Sequence, residues 1–255
     1  SPLIQGKPHR LSLFHFLRLP MDLHDHPLPH HTSRLLNVPH GMFTSAGGVS
    51  TSPFASLNLS LHVGDHEDNV CRNRAAATAA LGLSRLVSVH QVHGDRVLLV
   101  DAADTGEEQS GYDAMISSLP GTGLLIQQAD CQAILLEAPG GQAVAAAHCG
   151  WRGSVLNIIG TTVATLCTTC GVAPDTLRAA ISPSLGPCCA EFVHYRTELP
   201  AWMHACQVRP NHFDFWAISR RQLVEAGLRP EHIDTAGLCT RCNQQFFSYR
   251  RAAKI

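Results

Sequence analysis

Residues 143–166, AVAAAHCGWRGSVLNIIGTTVATL, decide the fold, because three kinds of local pattern follow one another in this short segment. Residues 143–147 are small and apolar, which favours a buried strand ending at His148. A glycine-rich turn comes next, and residues 154–166 then have helical periodicity. The segment therefore predicts a strand, a turn and a helix, with polar side chains presented at the turn.

The same alternation extends along the chain. Helices are predicted at 68–81 and 215–225, because Asp68 and Asp214 can cap them and a glycine follows each. Apolar or β-branched runs predict further strands at 43–49, 86–90, 97–100, 123–127, 131–136 and 177–181. Because no long linker or internal repeat interrupts this pattern, we expect a single α/β (α+β) domain with mixed β-sheets flanked by helices.

Composition excludes several classes of protein. The 255 residues are 45% hydrophobic and 15% charged, with a formal net charge of −1, which fits a globular core. Nucleic acid is not expected as a partner, since binding to its phosphates needs a basic face and Lys and Arg are spread thinly along this sequence. No apolar run reaches the roughly 18–20 residues that span a membrane, and no signal-cleavage pattern follows residues 11–19. We expect a cytoplasmic protein with free thiols.

Residues 1–38 differ from the rest of the chain, being rich in His and Pro without periodicity. Their histidines could bind metal, but polar tails at chain termini are commonly poorly ordered. An alternative is that the true start is Met21. We therefore expect a poorly ordered leader at 1–38 and a single catalytic domain at 39–255.

Three segments share one form, in which an apolar strand ends at a polar residue beside a turn: VSVHQVHG at 87–94, QADC at 128–131 and AAAHCGWRG at 145–153. Binding sites collect at such strand ends. Imidazole and thiolate ligands suit zinc, and three protein ligands leave one position open for catalysis. His93, Cys131 and His148 are therefore candidate metal ligands. Their wide spacing is weak evidence alone, because a single histidine is more often a hydrogen-bonded core or surface residue.

Eight motifs occur in order after residue 40: GGVS at 47–50, SLNL at 56–59, VGD at 63–65, QVHG at 91–94, ADC at 129–131, AHCGWRG at 147–153, GPCC at 186–189 and FFSYRR at 246–251. In combination they resemble the multicopper polyphenol oxidoreductase, or laccase-like, family, whose better-supported activity is purine nucleoside phosphorolysis. The resemblance implies zinc bound by His93, Cys131 and His148, with copper possible. It also implies phosphorolysis of adenosine, inosine, guanosine and methylthioadenosine, together with deamination of adenosine.

Zinc can polarise a phosphate oxygen or activate a water molecule, which makes Cys131, His148 and the neighbouring Asp130 the candidate catalytic residues. Asp130 could move a proton, although a structural hydrogen bond explains it equally well. Arg152 is the first candidate for binding phosphate, since a guanidinium grips phosphate with two donors; a salt bridge between strand and helix is the alternative. Asn58 could bind ribose or base, or stabilise a turn.

Two departures and two alternatives accompany this interpretation. Family members commonly carry an arginine before the first glycine pair, whereas residues 44–46 are TSA, and Gln127-Gln128 replaces a usually small or hydroxyl residue.

Copper oxidation of polyphenols needs many His-x-His pairs, and residues 24–26 form the only one. A metal-free hydrolase would instead use Cys131 as nucleophile with His148 as its base.

The remaining cysteines are interpreted mainly as packing residues. Two C-x-x-C pairs, 167/170 and 239/242, could form a four-cysteine zinc site, but their separation favours independent thiols. We expect Cys149 to pack in the core, and at least one of Cys188 and Cys189 to line the pocket wall.

Overall fold

The computed structural model describes residues 21–24, 28–104 and 108–253. Within these ranges the strands, numbered β1 to β14 in chain order, are Asp22–His24, His30–Thr32, Met42–Phe43, Arg85–His90, Val97–Leu99, Gln109–Ser110, Ala114–Ser117, Thr122–Leu125, Gln132–Glu137, Val144–Cys149, Arg178–Ile181, Gln207–Arg209, His212–Phe213 and Ile233–Thr235. The α-helices, α1 to α6, are Glu67–Ala80, Trp151–Leu156, Ile158–Cys170, Tyr195–Glu198, Phe215–Glu225 and Tyr249–Ala252.

A mixed six-stranded sheet of order β14-β11-β9-β10-β7-β5 forms the centre of the protein. Its four middle strands are antiparallel, and the outer pairs β11–β14 and β5–β7 are parallel. Ala145 and Ala147 of β10 lie in one buried cluster with Ile159 and Leu166 of α3. The small alanine side chains let the helix pack closely on the sheet, and the burial of the larger apolar ones stabilises that contact.

A smaller, all-parallel sheet of order β6-β4-β8 lies beside the central one. Val87 and Val89 of β4 are buried and pack with Met115 of β7, which joins the two sheets. Strand β4 ends at His90, directly before the QVHG motif. The α/β (α+β) class and the mixed sheets flanked by helices are thus confirmed.

The predicted leader is wrong for residues 28–38. There β2 pairs with β3, Leu28 packs with Leu57 and Ala77, and Leu36 packs with Met42. The physical reason is that leucines spaced among histidines and prolines bury enough apolar surface to order a segment without periodicity. Residues 1–20, including the start of the predicted leader, lie outside the described residues.

Other predictions hold in part. The helix predicted at 68–81 is present, but its N-cap is His66 rather than Asp68 and makes no side-chain cap. The helix predicted at 154–166 is divided at Asn157, whose backbone has φ 61° and whose side chain accepts the Gly160 N–H. The strand predicted at 43–49 ends at Phe43, and Asp214 caps α5 as expected. No helix in the described ranges is long and apolar enough to span a membrane.

Candidate metal centre

The structure brings the three sequence-predicted ligands, His93, Cys131 and His148, to one point. Their ligand atoms all lie within 4.8 Å of one another. Nε2 of His93 is 3.9 Å from Sγ of Cys131, and the two imidazole rings are nearly perpendicular at 85°. A tetrahedral zinc ion would place a nitrogen and a sulfur ligand about 3.6 Å apart, so a cation fits between these atoms with little movement.

Asp113, which immediately precedes β7, holds the loop that carries His93. This carboxylate is fully buried and accepts the backbone N–H groups of Val92, His93 and Gly94 at 3.1, 2.9 and 2.7 Å. His93 has a positive φ of 61°, a conformation that a non-glycine residue adopts only when its surroundings hold it there. Asp113 therefore positions the first ligand.

The same carboxylate also fixes the orientation of His148 at the end of β10. Nδ1 of His148 lies 2.8 Å from Oδ1 of Asp113, and an ionised carboxylate can only accept, so Nδ1 carries the proton. The opposite nitrogen, Nε2, is left as the ligand atom, as is typical of histidines that bind metals. Burial alone would raise the pKa of Asp113, but hydrogen bonds from His148 and from Gly94 and Val92 lower it below its usual value.

Sequence reasoning missed Asp113. The signal was a lone carboxylate directly before the apolar run 114–116, AMI, in a segment that was not predicted as a strand. Since no single-sequence pattern connects residue 113 with residues 93 and 148, its role becomes visible only once β7 pairs with β10.

The protonation states suit a cation. Burial, followed by the neighbouring His148, lowers the pKa of His93, which keeps this imidazole neutral. Burial, followed by Cys149 and Asp130, raises the pKa of the Cys131 thiol to about 12. The thiolate is therefore scarce at neutral pH unless a metal ion displaces the proton, which also makes Cys131 a poor nucleophile in a metal-free enzyme.

Gly150 leaves the space in which the ligands meet. A Cβ at this position would lie 2.9 Å from Sγ of Cys131 and 3.1 Å from Cδ2 of His93. Any larger residue would have to displace a ligand, because these distances are shorter than ordinary van der Waals contacts. The glycine after His148-Cys149 is thus needed for the site itself.

Cys149 and Asp130, which adjoin the ligands His148 and Cys131 in the chain, make packing and hydrogen-bond contacts that support the fold. Cys149 is buried in the main core cluster, with Sγ 3.3 Å from Oγ of Ser154, so its predicted packing role is confirmed. Asp130 accepts hydrogen bonds from Oγ1 of Thr240 and from the backbone N–H of Arg250, both at 2.7 Å. Both oxygens of Asp130 thus tie the Cys131 loop to the C-terminal segment, as the structural alternative predicted.

The two predicted substrate-binding residues differ in their surroundings. Asn58 is buried and uses its side chain locally: Nδ2 donates to Ser60 O and Asp65 Oδ2, and Oδ1 accepts the Ser60 N–H. This is the turn-stabilising alternative. Arg152 is exposed with its Cζ 5.3 Å from the Trp151 ring centroid, and it forms no ion pair with any residue that the structure describes.

A cleft of about 1380 Å³ opens at the three ligands, and its wall includes aromatic side chains from distant parts of the chain, among them Phe54, Phe192, Phe246 and Phe247. Clefts that bind small molecules typically measure about 300–1,000 Å³, so this one has room for a small-molecule ligand. Arg250 is the one Arg or Lys on the described part of the wall, and Arg152 is not on it. Neither Cys188 nor Cys189 lines the cleft, so that expectation is wrong.

Comparison with known proteins shows the family of this chain. The family described as "Multi-copper polyphenol oxidoreductase laccase" matches residues 39–255. The chain belongs to this family. It is 35% identical over 233 residues to the purine nucleoside phosphorylase YlmD of Geobacillus stearothermophilus, a match that covers 83% of this chain and 84% of that protein.

A second relative and a solved structure of YlmD extend the comparison. A purine nucleoside phosphorylase of Xylella fastidiosa is 36% identical over 220 residues, covering 80% of this chain and 83% of the relative. The crystal structure of YlmD from Geobacillus stearothermophilus superimposes with a TM-score of 0.83 at 31% identity, covering 91% of this chain and 94% of that one. The fold and the family are therefore those that the eight sequence motifs indicated.

Proposed function

We propose that this chain is a zinc-dependent purine nucleoside phosphorylase that also deaminates adenosine. The single observation that carries the proposal is the His93–Cys131–His148 triad at the floor of an aromatic cleft, in a chain whose relatives bear the name purine nucleoside phosphorylase. Two imidazoles and one thiolate form the donor set of a catalytic zinc site with an open position.

In this proposal the triad holds the metal ion, and Asp113 and Asp130 position its ligands. A cation held by the triad supplies Lewis acidity toward an oxygen of phosphate or water. Asp113 keeps Nε2 of His148 unprotonated and holds the His93 loop, so that both imidazoles are ready to bind without rearrangement. Asp130 holds the Cys131 loop through Thr240 and Arg250, which makes it a positioning residue in this proposal.

The cleft suits a nucleoside because it combines aromatic walls with polar groups. Purine rings stack on aromatic side chains, and Phe246, Phe247 and Trp151 lie on the wall that also contains the triad. In phosphorolysis, a phosphate oxygen bonds to C1′ of the ribose, the C1′–N bond breaks, and the leaving base takes up a proton. Arg152 and Arg250 are the candidate phosphate-binding cations, because guanidinium groups bind phosphate oxygens with two parallel donors.

The alternative of genuine multicopper oxidation has less support. Such chemistry needs several histidine-rich copper sites. The described residues contain two groups of three or more metal-binding side chains, and only the triad includes histidine. The choice between copper and zinc therefore concerns the ion bound by His93, Cys131 and His148.

Phosphate-dependent release of hypoxanthine from inosine tests the proposal. Full-length protein loaded with zinc is expected to release hypoxanthine and ribose 1-phosphate only when phosphate is present. The variant Cys131→Ala removes one ligand and should abolish the release while the circular dichroism spectrum is unchanged. The matched control is Cys71→Ala, which removes an exposed thiol of α1 and should leave the rate unchanged.

Three results would contradict the proposal: release without phosphate, full activity of metal-free protein, or full activity of Cys131→Ala. Ammonia release from adenosine, measured on the same samples, tests the deaminase activity separately. Activity in metal-free protein that alkylation of Cys131 abolishes would favour the nucleophilic hydrolase instead.

A further inference from the structure

A second group of metal-binding side chains lies outside the cleft, where the turn 186–189 meets the loop 239–243. It consists of Cys188, Cys189, Cys239 and Cys242, whose Sγ atoms all lie within 4.8 Å of one another. Cys189 is buried, Cys239 is half-buried, and the other two are exposed at one edge. Sequence reasoning instead considered Cys239 and Cys242 together with the pair 167/170.

The spacing of the sulfur atoms fits a tetrahedral cation better than a disulfide. Sγ of Cys242 is 3.7 Å from that of Cys188 and 3.5 Å from that of Cys189. Zinc–sulfur bonds of about 2.3 Å place tetrahedral sulfur ligands about 3.8 Å apart, whereas a disulfide needs about 2.05 Å. These two distances are close to those that a common central ion requires, and no pair among the four sulfur atoms is more than 4.8 Å apart.

The backbone that presents these thiols consists of two tight turns. In the first turn, the N–H groups of Cys189 and Ala190 bond to the carbonyl of Gly186, at 2.9 and 3.0 Å. In the second turn, the Asn243 N–H bonds to the carbonyl of Cys239 at 2.9 Å. A Cβ on Gly186 would lie 3.0 Å from Cβ of Cys239, so glycine allows the two turns to meet.

Positive charge surrounds the sulfur atoms. Nη1 of Arg241 lies 3.4 Å from Sγ of Cys189, and Nη2 of Arg209 donates to the carbonyl of Cys188 at 2.7 Å. Nη1 of Arg250 donates to the carbonyl of Cys189 at 3.5 Å. Four thiolates around a divalent cation carry a net charge of −2, which nearby guanidinium groups offset. The local charge thus suits a tetrathiolate complex.

We propose that Cys188, Cys189, Cys239 and Cys242 bind a second, structural zinc ion that fastens the C-terminal segment to the metal centre of the cleft. Residues 236–248, between β14 and α6, contain no α-helix and no named strand; an isolated β-bridge between Ser184 and Cys239 and hydrogen bonds from the Arg251 side chain to the loop carbonyls hold them. Thr240, inside this loop, donates to Asp130, and Asp130 adjoins the ligand Cys131. A closed four-cysteine site is the usual arrangement for structural zinc, whereas the triad keeps an open position.

Metal content of the full-length protein tests this proposal. The protein is purified with a non-thiol reductant, loaded with zinc, dialysed and analysed by elemental mass spectrometry. Wild-type protein is expected to contain about two zinc ions per chain, and Cys131→Ala and the double variant Cys239→Ser/Cys242→Ser about one each. The matched control Cys167→Ser/Cys170→Ser removes a half-buried C-x-x-C pair at the same spacing and should keep both ions.

X-ray absorption on zinc-loaded Cys131→Ala provides a test that does not depend on the folding of the cluster variants. This protein retains all four cluster cysteines, and its zinc should have four sulfur neighbours at about 2.3 Å. A metal-free Cys131→Ala protein, a first shell of nitrogen and oxygen, or a Cys189–Cys242 disulfide in the reduced preparation would overturn the proposal. One zinc bound to four sulfurs in both wild type and Cys131→Ala would sustain it and contradict the zinc-dependent function.

Discussion

Replacing Asp113 by Asn separates positioning of the ligands from the ligands themselves. In the native protein Oδ1 accepts from His93 N and His148 Nδ1, and Oδ2 accepts from Val92 N and Gly94 N. An asparagine keeps one oxygen and replaces the other by NH₂, so the N–H of His93 loses its acceptor in one orientation of the amide, and the N–H groups of Val92 and Gly94 lose theirs in the other. A buried unsatisfied donor costs about 1–3 kcal/mol, which predicts a loss of about 1–6 kcal/mol in the free energy of unfolding.

The metal affinity falls for a second reason. If the NH₂ group faces His148, Nδ1 must become the acceptor, and the proton then moves to Nε2, where it blocks metal binding. If it faces the loop instead, the N–H groups of Val92 and Gly94 lose their acceptor and His93 loses its fixed position. Loss of such partners of metal-bound histidines typically lowers affinity 10- to 100-fold. We expect a decrease of this size for zinc at the triad.

The assay is competition with a chromophoric chelator, measured in the Cys239→Ser/Cys242→Ser background so that one site is observed, together with urea unfolding. Glu137→Gln is the matched control: this carboxylate at the end of β9 is also buried and accepts the Asn37 N–H, but it lies outside the metal centre. It should lose stability and keep zinc affinity. Unchanged affinity in folded Asp113→Asn, or an equal loss in Glu137→Gln, would refute the reasoning.

Three further results are expected. Gly150→Ala should lower zinc affinity about tenfold or more, because its Cβ would lie 2.9 Å from Sγ of Cys131; equal affinity in the chelator assay contradicts this. Arg152→Ala should raise the KM for phosphate about tenfold with a smaller change in kcat, whereas Arg221→Ala, which removes an exposed arginine over Trp202, should change neither value. Zinc binding at the triad should release about one proton from Cys131 between about pH 7 and 8, since its thiol pKa is raised to about 12. Calorimetry in buffers of different ionisation enthalpy measures the number of protons released. Zero release would exclude Cys131 as the ligand.

The acid response of the apo protein follows from the direction of two pKa shifts. The folded-state pKa of Asp113 lies below its usual value of 3.8, so the stability from this ionised carboxylate is present above that value and disappears as pH falls through the lower folded value. The folded-state pKa of His93 lies below its usual value of 6.5, so the unfolded chain binds a proton at this histidine first, and stability already declines below about pH 6.5.

The ligand-bearing turns were predictable because their information is local. The apolar run 143–147 predicted a strand that brings His148 to a glycine-rich turn, and β10, Val144–Cys149, does so. By contrast, Asp113 acts on His93 and His148 through the pairing of β7 with β10, which no local pattern encodes. The division of the helix at Asn157 was also missed, because a residue with a positive φ interrupts the helix without disturbing its apolar periodicity.

The cysteine cluster illustrates the same limit. Strands β11 and β14 pair in parallel, with Ile181 opposite Thr235, so the segments that follow both strands leave the same edge of the sheet. This pairing brings Cys188 and Cys189 to Cys239 and Cys242, although some fifty residues separate them. The sequence analysis weighed a joint site of the two C-x-x-C pairs and preferred independent thiols. Cys167 and Cys170 belong to α3, which packs on the central sheet, and they are not part of the cluster.

The family resemblance implies an arginine close to position 45, where this chain has Ser45. Ser45 lies on the cleft wall, and the Gln245 carbonyl accepts both its backbone N–H and its Oγ–H. A longer side chain at this position would therefore begin beside the C-terminal segment. That segment supplies Arg250, whose Nη1 is engaged by the Glu191 carbonyl, while no other described hydrogen bond uses its Nε or Nη2. We infer that phosphate binding in this chain depends on Arg250 together with Arg152. The double variant Cys239→Ser/Cys242→Ser tests this dependence: it should raise the KM for phosphate more than that for the nucleoside. Equal changes in both would mean that the C-terminal segment only supports the fold.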